Sequence, residues 1–480
     1  MATKLIAKID QDLLIDMNKI KLQLGSLLIY NIIIIFIFSM VMVGALSYAT
    51  FQLRVVRSSI AKEQAFHIAE AGVNYYQWHL AHYPTDYWDG NASTTPGPYV
   101  KDFVDRDTNQ KIGEYSLRII PPNIGSTIVT IESTGYTISN PNIKRKVTVR
   151  YGIPSLAKYA FLTNTDVWIG SSESVSGEMH ANGGIRFDGI GNAPIVSAKT
   201  TYTCQTYHGC SPTSTKPGIW GSAASSTSNF WQFPVPNVDF SSITSDLSTI
   251  KSSAQSSGIY LPPSSARGYS LVFNAAGTVS VYRVNSLTSH ATGYDVQGVA
   301  HNEDIDYNGR TLLSTQAIPT NGLIFVEDHV WVEGTVNGRA MVAAARFPYN
   351  ASTAPNIMVR NNLVYLAKDG NHSLGLIAQK HFLITYHSAN NLEINAAIIA
   401  QNGSAQRYNF GSGTTKNTIT IYGSISSFGV WTWSWVNSSG TVTSGYQNTV
   451  TNYDQSLLYS PPPSFPLTTD GYQQISWSSN

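Results

Sequence analysis

The sequence predicts a mainly β protein: a long N-terminal transmembrane α-helix, a small antiparallel sheet, and then a single-stranded parallel β-helix, or solenoid. Three observations predict it. From Leu22 to Leu53 there are 32 consecutive positions without a charged residue. Three alternating apolar segments follow between residues 113 and 151. A short apolar pattern then occurs four times between residues 340 and 427.

As a helix the uncharged run rises about 48 Å, beyond the ~30 Å hydrocarbon core of a bilayer. Its densest part holds Ile32-Ile33-Ile34-Ile35-Phe36-Ile37-Phe38, which would aggregate in water. A cleaved secretory signal is the competing reading, but the run is too long and no small-x-small site follows it. Lys4, Lys8, Lys19 and Lys21 precede the span, while Arg54, Arg57 and Lys62 follow it, a slight bias towards an internal N terminus. No proline occurs before Pro84, and helical spacing continues through Val55, Val56, Ile60, Phe66, Ala69, Val73, Tyr76 and Leu80. Ala61, Ala65 and Ala69 recur every four residues with Gly72 beyond them. Such a stripe admits close approach of another element; alanines chosen only as good helix formers are the alternative.

A polar linker, residues 89–98, leads to the three alternating segments, Gly113 to Ile119, Thr127 to Gly135 and Lys144 to Tyr151. Each places apolar residues on one face. Pro121-Pro122-Asn123 and Asn140-Pro141 signal the turns. A three-stranded meander is marginal alone, so it is expected to lie on the alanine stripe as one unit with the helix.

Beyond Tyr159 short apolar runs alternate with Gly and Asn. Asp166 to Ile169, Ile185 to Phe187, Ser270 to Phe273 and Thr278 to Tyr282 read as strands, and Ser241 to Ala254 as a helix. Gly375-Leu376-Ile377-Ala378-Gln379 recurs as Ala397-Ile398-Ile399-Ala400-Gln401 and as Gly423-Ser424-Ile425-Ser426-Ser427, with Ala340-Met341-Val342-Ala343-Ala344 before them. Repeats of this length with one strand motif each imply coils that stack like residues on like; an antiparallel sandwich is the alternative. A proline-rich tail, Ser460 to Pro466, is expected to cover the open end.

Charged residues make up only 12% of the chain, about half the usual share, and the net charge is +1. That leaves no electrostatic case for a nucleic-acid partner. Cys204 and Cys210 lie in a Ser/Thr/Gly-rich insertion, residues 198–231. A short-loop disulfide in an oxidising compartment is one reading and two unpaired thiols the other. Zinc is disfavoured, because His208 alone lies nearby. Glu327, Asp328, Glu333, Asp369 and Glu393 show no recurrence at repeat spacing, so no catalytic constellation is read here. His180, in Glu178-Met179-His180-Ala181-Asn182-Gly183, reads as a turn histidine with one hydrogen bond. Asp304-x-Asp306-x-Asn308-Gly309 begins like a calcium loop, but its twelfth position is Thr315, so a hairpin turn between Tyr307 and Thr311 is preferred. Trp431-x-Trp433-x-Trp435 places three indoles on one strand face, either core or a platform for sugars or a protein partner.

The stretch Glu63-Gln64-Ala65-Phe66-His67-Ile68-Ala69-Glu70-Ala71-Gly72 resembles the post-membrane motif of PilX-type minor pilins and pilus-assembly proteins. Leu24-Gly25-Ser26-Leu27-Leu28 is similar to the end of their short leader. The resemblance covers residues 20 to 80 and implies prepilin-peptidase cleavage between Gly25 and Ser26. It also makes Glu63, Ala65, Phe66, Ala69, Glu70 and Gly72 an assembly or packing motif. Many pilins carry Glu at the fifth mature position; here it is Tyr30, which suggests a sparse subunit or one processed without polymerising. The expected organisation is a leader (1–25), the long helix (26–84), a pilin-like sheet (99–153), an exported β-helix domain (155–430) and an aromatic strand with a capping tail (431–480). The expected function is that of a non-enzymatic, membrane-anchored surface protein in pilus assembly or adhesion. Its partners are the lipid membrane, pilus subunits and a surface glycan or protein, with no cofactor. A membrane-tethered polysaccharide-acting enzyme and a structural envelope protein are the rival readings.

Overall fold

Helix α1 runs from Ala2 to His82, and its two halves have opposite surroundings. The structure, a computed structural model, describes the backbone of residues 2–480 apart from 94, 96, 241, 242 and 438. Side chains are described for these residues apart from 2–26 and 243–246, so the Gly25–Ser26 junction lies outside the described side chains. From Leu27 to Leu53 every side chain is exposed; Phe36 is 68% and Met40 71% accessible. An apolar helix this long and this bare can cross a membrane.

From Ala61 onward α1 is one layer of a small domain. Four antiparallel strands, β1 (Tyr99–Val104), β2 (Lys111–Ile120), β3 (Val129–Thr137) and β4 (Asn140–Gly152), form a meander. β3 alternates strictly between buried and half-buried positions, as a one-sided sheet requires. Its inward side chains join Ile68, Ala69, Val73, Tyr76 and Leu80 in one cluster. The contact is close because both partners are small. A Cβ on Gly135 would collide with the Ala65 carbonyl oxygen and the Ala69 amide, and one on Gly72 with Ser133 and Tyr115. The segment after α1 is not loose: Asp86 pairs with His79 at 2.9 Å, and Asp89 with Lys101 at 3.0 Å.

The rest of the chain is dominated by parallel strands stacked in three rows. Row one runs in space from Ile259–Leu261 through Leu323–Val326, Arg339–Ala344, Ser373–Ala378 and the ends of Asn391–Ala400 and Thr414–Ser427. It continues through Phe161–Thr163, Met179–Ala181, Ile195–Ser197 and Trp231–Gln232. The four sequence repeats are neighbours in this row: Met341, Gly375, Ala397 and Ser424 stand in register. Row two begins at Gly268–Asn274 and ends at Trp431–Thr432. Row three runs from Gly334–Val336 to Ile190–Gly191.

The chain therefore enters the stack in its middle. Residues 161–232 build outward to one end, and helix Ile243–Ser257 carries the chain back along row one. Residues 259–453 then build from the other end until Ile425–Ser427 pairs with Phe161–Thr163 and Thr449–Asn452 with Glu173–Ser176. This seam joins strands more than 260 residues apart in sequence. The helix explains why row one is apolar on both faces. Val342, Leu376 and Ile398 point into the central core, while Ala343, Ile377 and Ile399 pack with Leu247, Ile250 and Ala254 of the helix. A strand buried on both sides reads as an unbroken apolar run, which is what made these repeats visible.

Several expectations need correction. The tail does not cover an end of the rows. Pro462 lies against Gly375 of row one and Pro463 against Gly322, just before the row-one strand Leu323–Val326, and the C-terminal strand Gln473–Ser479 pairs with β4. β4 otherwise ends the meander with unpaired backbone groups, and this strand satisfies them. Trp477 of that strand meets Phe66 at 5.9 Å. Asn308-Gly309 forms a tight turn but no hairpin: Arg310–Ala317 pairs with Thr278–Val284 instead. The segment 198–231 is only partly an insertion, since Ile219–Trp220 pairs with Ile185–Arg186 and Trp231 with Ile195.

A candidate ligand-binding cleft

Rows one and three cross the seam without interruption, and row two does not. Trp431–Thr432 ends row two on one side. On the other side Val167–Ile169, Ile185–Phe187 and Ile219–Trp220 form a separate parallel sheet. Between them lies a cleft of about 1510 Å³, lined by Trp168, Glu173 and Arg186 among others on one wall and by Phe428, Trp431 and Trp435 among others on the other.

The first wall is built on Arg186. Its guanidinium sits over the Trp168 ring at 4.2 Å and faces the Trp220 ring at 5.1 Å. Its Nε donates to Asp188 Oδ2 at 2.7 Å and its Nη1 donates to the His208 carbonyl at 2.8 Å. Asp188 also accepts from Trp168 Nε1 and from the Ser222 amide and hydroxyl, each at 2.8 Å. Burial alone would raise the Asp188 carboxyl, but the Ser222 and Trp168 hydrogen bonds and the Arg186 charge hold it below the usual carboxylate range. Charge here fastens the wall.

Arg186 also holds the hairpin formed by Thr201–Cys204 and Ser214–Pro217. Cys204 and Cys210 are joined by a disulfide in that hairpin, which sets Tyr207, 70% exposed, at the rim. Replacing both cysteines by serine should release about 2–3 kcal/mol of loop constraint. Faster protease cleavage near Tyr207, with unchanged protection of the rows, is the expected reading.

At the base, Asn182 Nδ2 donates to Asn164 Oδ1 at 2.9 Å and to the Val238 carbonyl at 2.8 Å. Asn182 Oδ1 accepts from the Val238 amide and meets His180 Nε2 at 3.0 Å. His180 is thus not a turn residue. It lies in strand Met179–Ala181, 3% exposed, and burial lowers its pKa. The three tryptophans do not share a face either, because the chain turns at Trp433 between strands Trp431–Thr432 and Ser434–Val436. Trp431 and Trp433 are buried with ring centroids 6.0 Å apart. Trp435 is half-buried, lines the cleft and donates its Nε1 to the Arg407 carbonyl.

Glu173 lines the same cleft, 8% exposed, with Gly170 N–H donating to it at 2.7 Å. Burial pushes its carboxyl up to about 8 from 4.5. The folded chain keeps this proton longer than the unfolded chain, so the stabilisation is full below about 4.5 and is lost as pH rises through about 8. Glu303, pushed up to about 8 by burial and by Asp304, acts in the same direction. Glu173→Gln should therefore flatten part of the fall in Tm between mildly acid and mildly alkaline pH.

The motif residues lie elsewhere, on α1. Ala65, Ala69 and Gly72 are buried under the sheet and Phe66 is half-buried. Glu63 and Glu70 flank His67 at 3.5 and 3.2 Å on the outer face. Asp304 and Asp306 do not converge: Asp304 Oδ2 meets His387, and Asp306 accepts from Ser286. Among the described residues no group of three or more His, Cys, Asp or Glu is placed to hold a metal. Sequence reasoning missed Trp168, Arg186, Asp188 and Trp220, whose only local signal is the pair Arg186-x-Asp188 at the end of a strand.

No protein-family model matches the chain, and no curated protein matches it. Among solved structures, the competence-associated pilin ComZ from Thermus thermophilus is similar at a TM-score of 0.30 and 12% identity. The match covers 88% of this chain and 97% of that one. A likeness this loose bears on neither fold nor function.

Proposed function

We propose that this chain is a non-enzymatic, single-pass membrane-anchored surface protein of the PilX-like minor pilin kind, acting with pilus subunits in assembly or adhesion. One observation carries the reading. A single helix is bare and apolar from Leu27 to Leu53 and is then the core layer of a small sheet domain from Ala61 to Leu80. Anchor and head cannot be separated without exposing that core, so whatever holds the helix also presents the head and everything beyond it. In this reading the three rows are the faces of one parallel β-helix, supported by the common register of residues 341–344, 375–378, 397–400 and 424–427.

The test is the exact mass of the protein from native membranes. A mature chain beginning at Ser26, and a longer precursor in Gly25→Leu, is the expected outcome. An intact N terminus on surface-displayed protein would leave α1 as a plain anchor and favour the structural envelope reading.

A membrane-tethered polysaccharide-acting enzyme is the second reading, favoured by Glu173, a carboxyl kept protonated in a cleft, as a general acid must be. Against it, Asp188 is fully engaged with Arg186, Trp168 and Ser222, and Asp166 accepts from the Gly184 amide at 2.7 Å. Neither is left as a partner base.

A further inference from the structure

Three features of the cleft, taken together, select a ligand class. Its charges are of both signs and interspersed, with Arg186 and Lys199 among Asp166, Glu173, Asp188 and Asp239. Arg186 is paired with Asp188 at 2.7 Å, and Glu173 is buried with the Gly170 amide donating to it. Its walls carry aromatic rings with accessible surface: Trp168 and Trp435 half-buried, Phe428 40% and Tyr207 70% exposed. Its remaining lining is rich in amides and hydroxyls, including Asn164, Gln297 and Asn402. At about 1510 Å³ it exceeds the roughly 300–1,000 Å³ that holds one drug-sized molecule.

We propose that this cleft binds a neutral carbohydrate chain several sugars long, its ring faces on the aromatic walls and its hydroxyls on the amides. Sugar rings offer an apolar C–H face and a polar rim, the pattern these walls complement. A charged polysaccharide would meet no wall of one opposite sign, because Arg186 and Lys199 stand among Asp166, Asp188 and Asp239. An extended peptide added as a strand is the other occupant that a broken row suggests. It would need an extra layer of about 4.8 Å. Rows one and three leave no such layer, because Ile425 pairs directly with Phe161 and Thr449 with Glu173 across the seam.

The inference deepens the adhesion reading but is tested apart from it. Full-length protein in detergent micelles is titrated calorimetrically with cellohexaose, maltohexaose and chitin hexamer, with a galacturonate hexamer and a Ser/Gly-rich peptide as the other probes. Saturable binding of at least one neutral hexamer is expected. Tyr207→Ala and Phe428→Ala, both at exposed positions, should each weaken it by about tenfold, the scale of one ring contact, with Tm unchanged. Binding of none of the neutral hexamers, binding of the acidic hexamer or peptide alone, or unchanged affinity in both variants would overturn the proposal. Should cells without the protein adhere normally while the purified protein still binds a neutral hexamer, the adhesion reading falls and the site stands.

Discussion

Gly135→Val should unseat the head sheet from α1. The first side-chain carbon alone would collide with the backbone of Ala65 and Ala69 and come within 2.9 Å of the Ile68 carbonyl carbon. Backbone of a continuous helix cannot yield locally, so sheet and helix must separate. Overpacking of this kind costs about 1–3 kcal/mol, more where nothing relaxes. Ala65→Leu, from the opposite side, should act in the same direction, because Ala65 is fully buried. Lys62→Ala, on the exposed face, should be neutral. Denaturant unfolding of the detergent-solubilised protein separates these outcomes. Equal stability of Gly135→Val and Lys62→Ala would mean that the helix and sheet are not packed as described. The loss should also reach the C-terminal strand, since Trp477 rests on Phe66 and pairs through β4.

Phe161→Ala should open the seam. Phe161 is 1% exposed, begins the strand of row one that comes first in the chain and packs on Trp431 at a ring separation of 4.9 Å. Its removal leaves a cavity between the first strand to enter the stack and the end of row two, at a cost of about 3–5 kcal/mol. Hydrogen exchange should then speed up together in residues 161–163 and 425–427, with less effect at Ile259–Leu261. Ile190→Ala, 65% exposed, is the matched control and should change little. Faster exchange confined to one side of the seam would contradict the pairing of Ile425 with Phe161. Because the cleft sits at this seam, the same variant should also lose Trp435 and Trp168 as opposed walls.

The sequence by itself determined the features that depend on short-range pattern. The uncharged run sets α1, and alternation marks three of the five strands in the head sheet. The recurrence of Leu376-Ile377-Ala378 in Ile398-Ile399-Ala400 marks which strands stack. Each follows from burial periodicity within one element, so neighbouring residues carry the whole signal. The alanine stripe was legible for the same reason, since a close packing needs small residues at helical spacing. What only the tertiary structure decided are the pairings between distant segments. Nothing local in Phe161-Leu162-Thr163 specifies Ile425-Ser426-Ser427 as its neighbour, and nothing in Ser476-Trp477 specifies β4. Backbone ladders are blind to side-chain identity, so such choices rest on which edges the rest of the fold leaves open. The cleft is a product of that closure: Trp168 and Arg186 read as ordinary strand residues, and Trp435 as one of three indoles on a strand face, until the seam leaves row two unjoined between them.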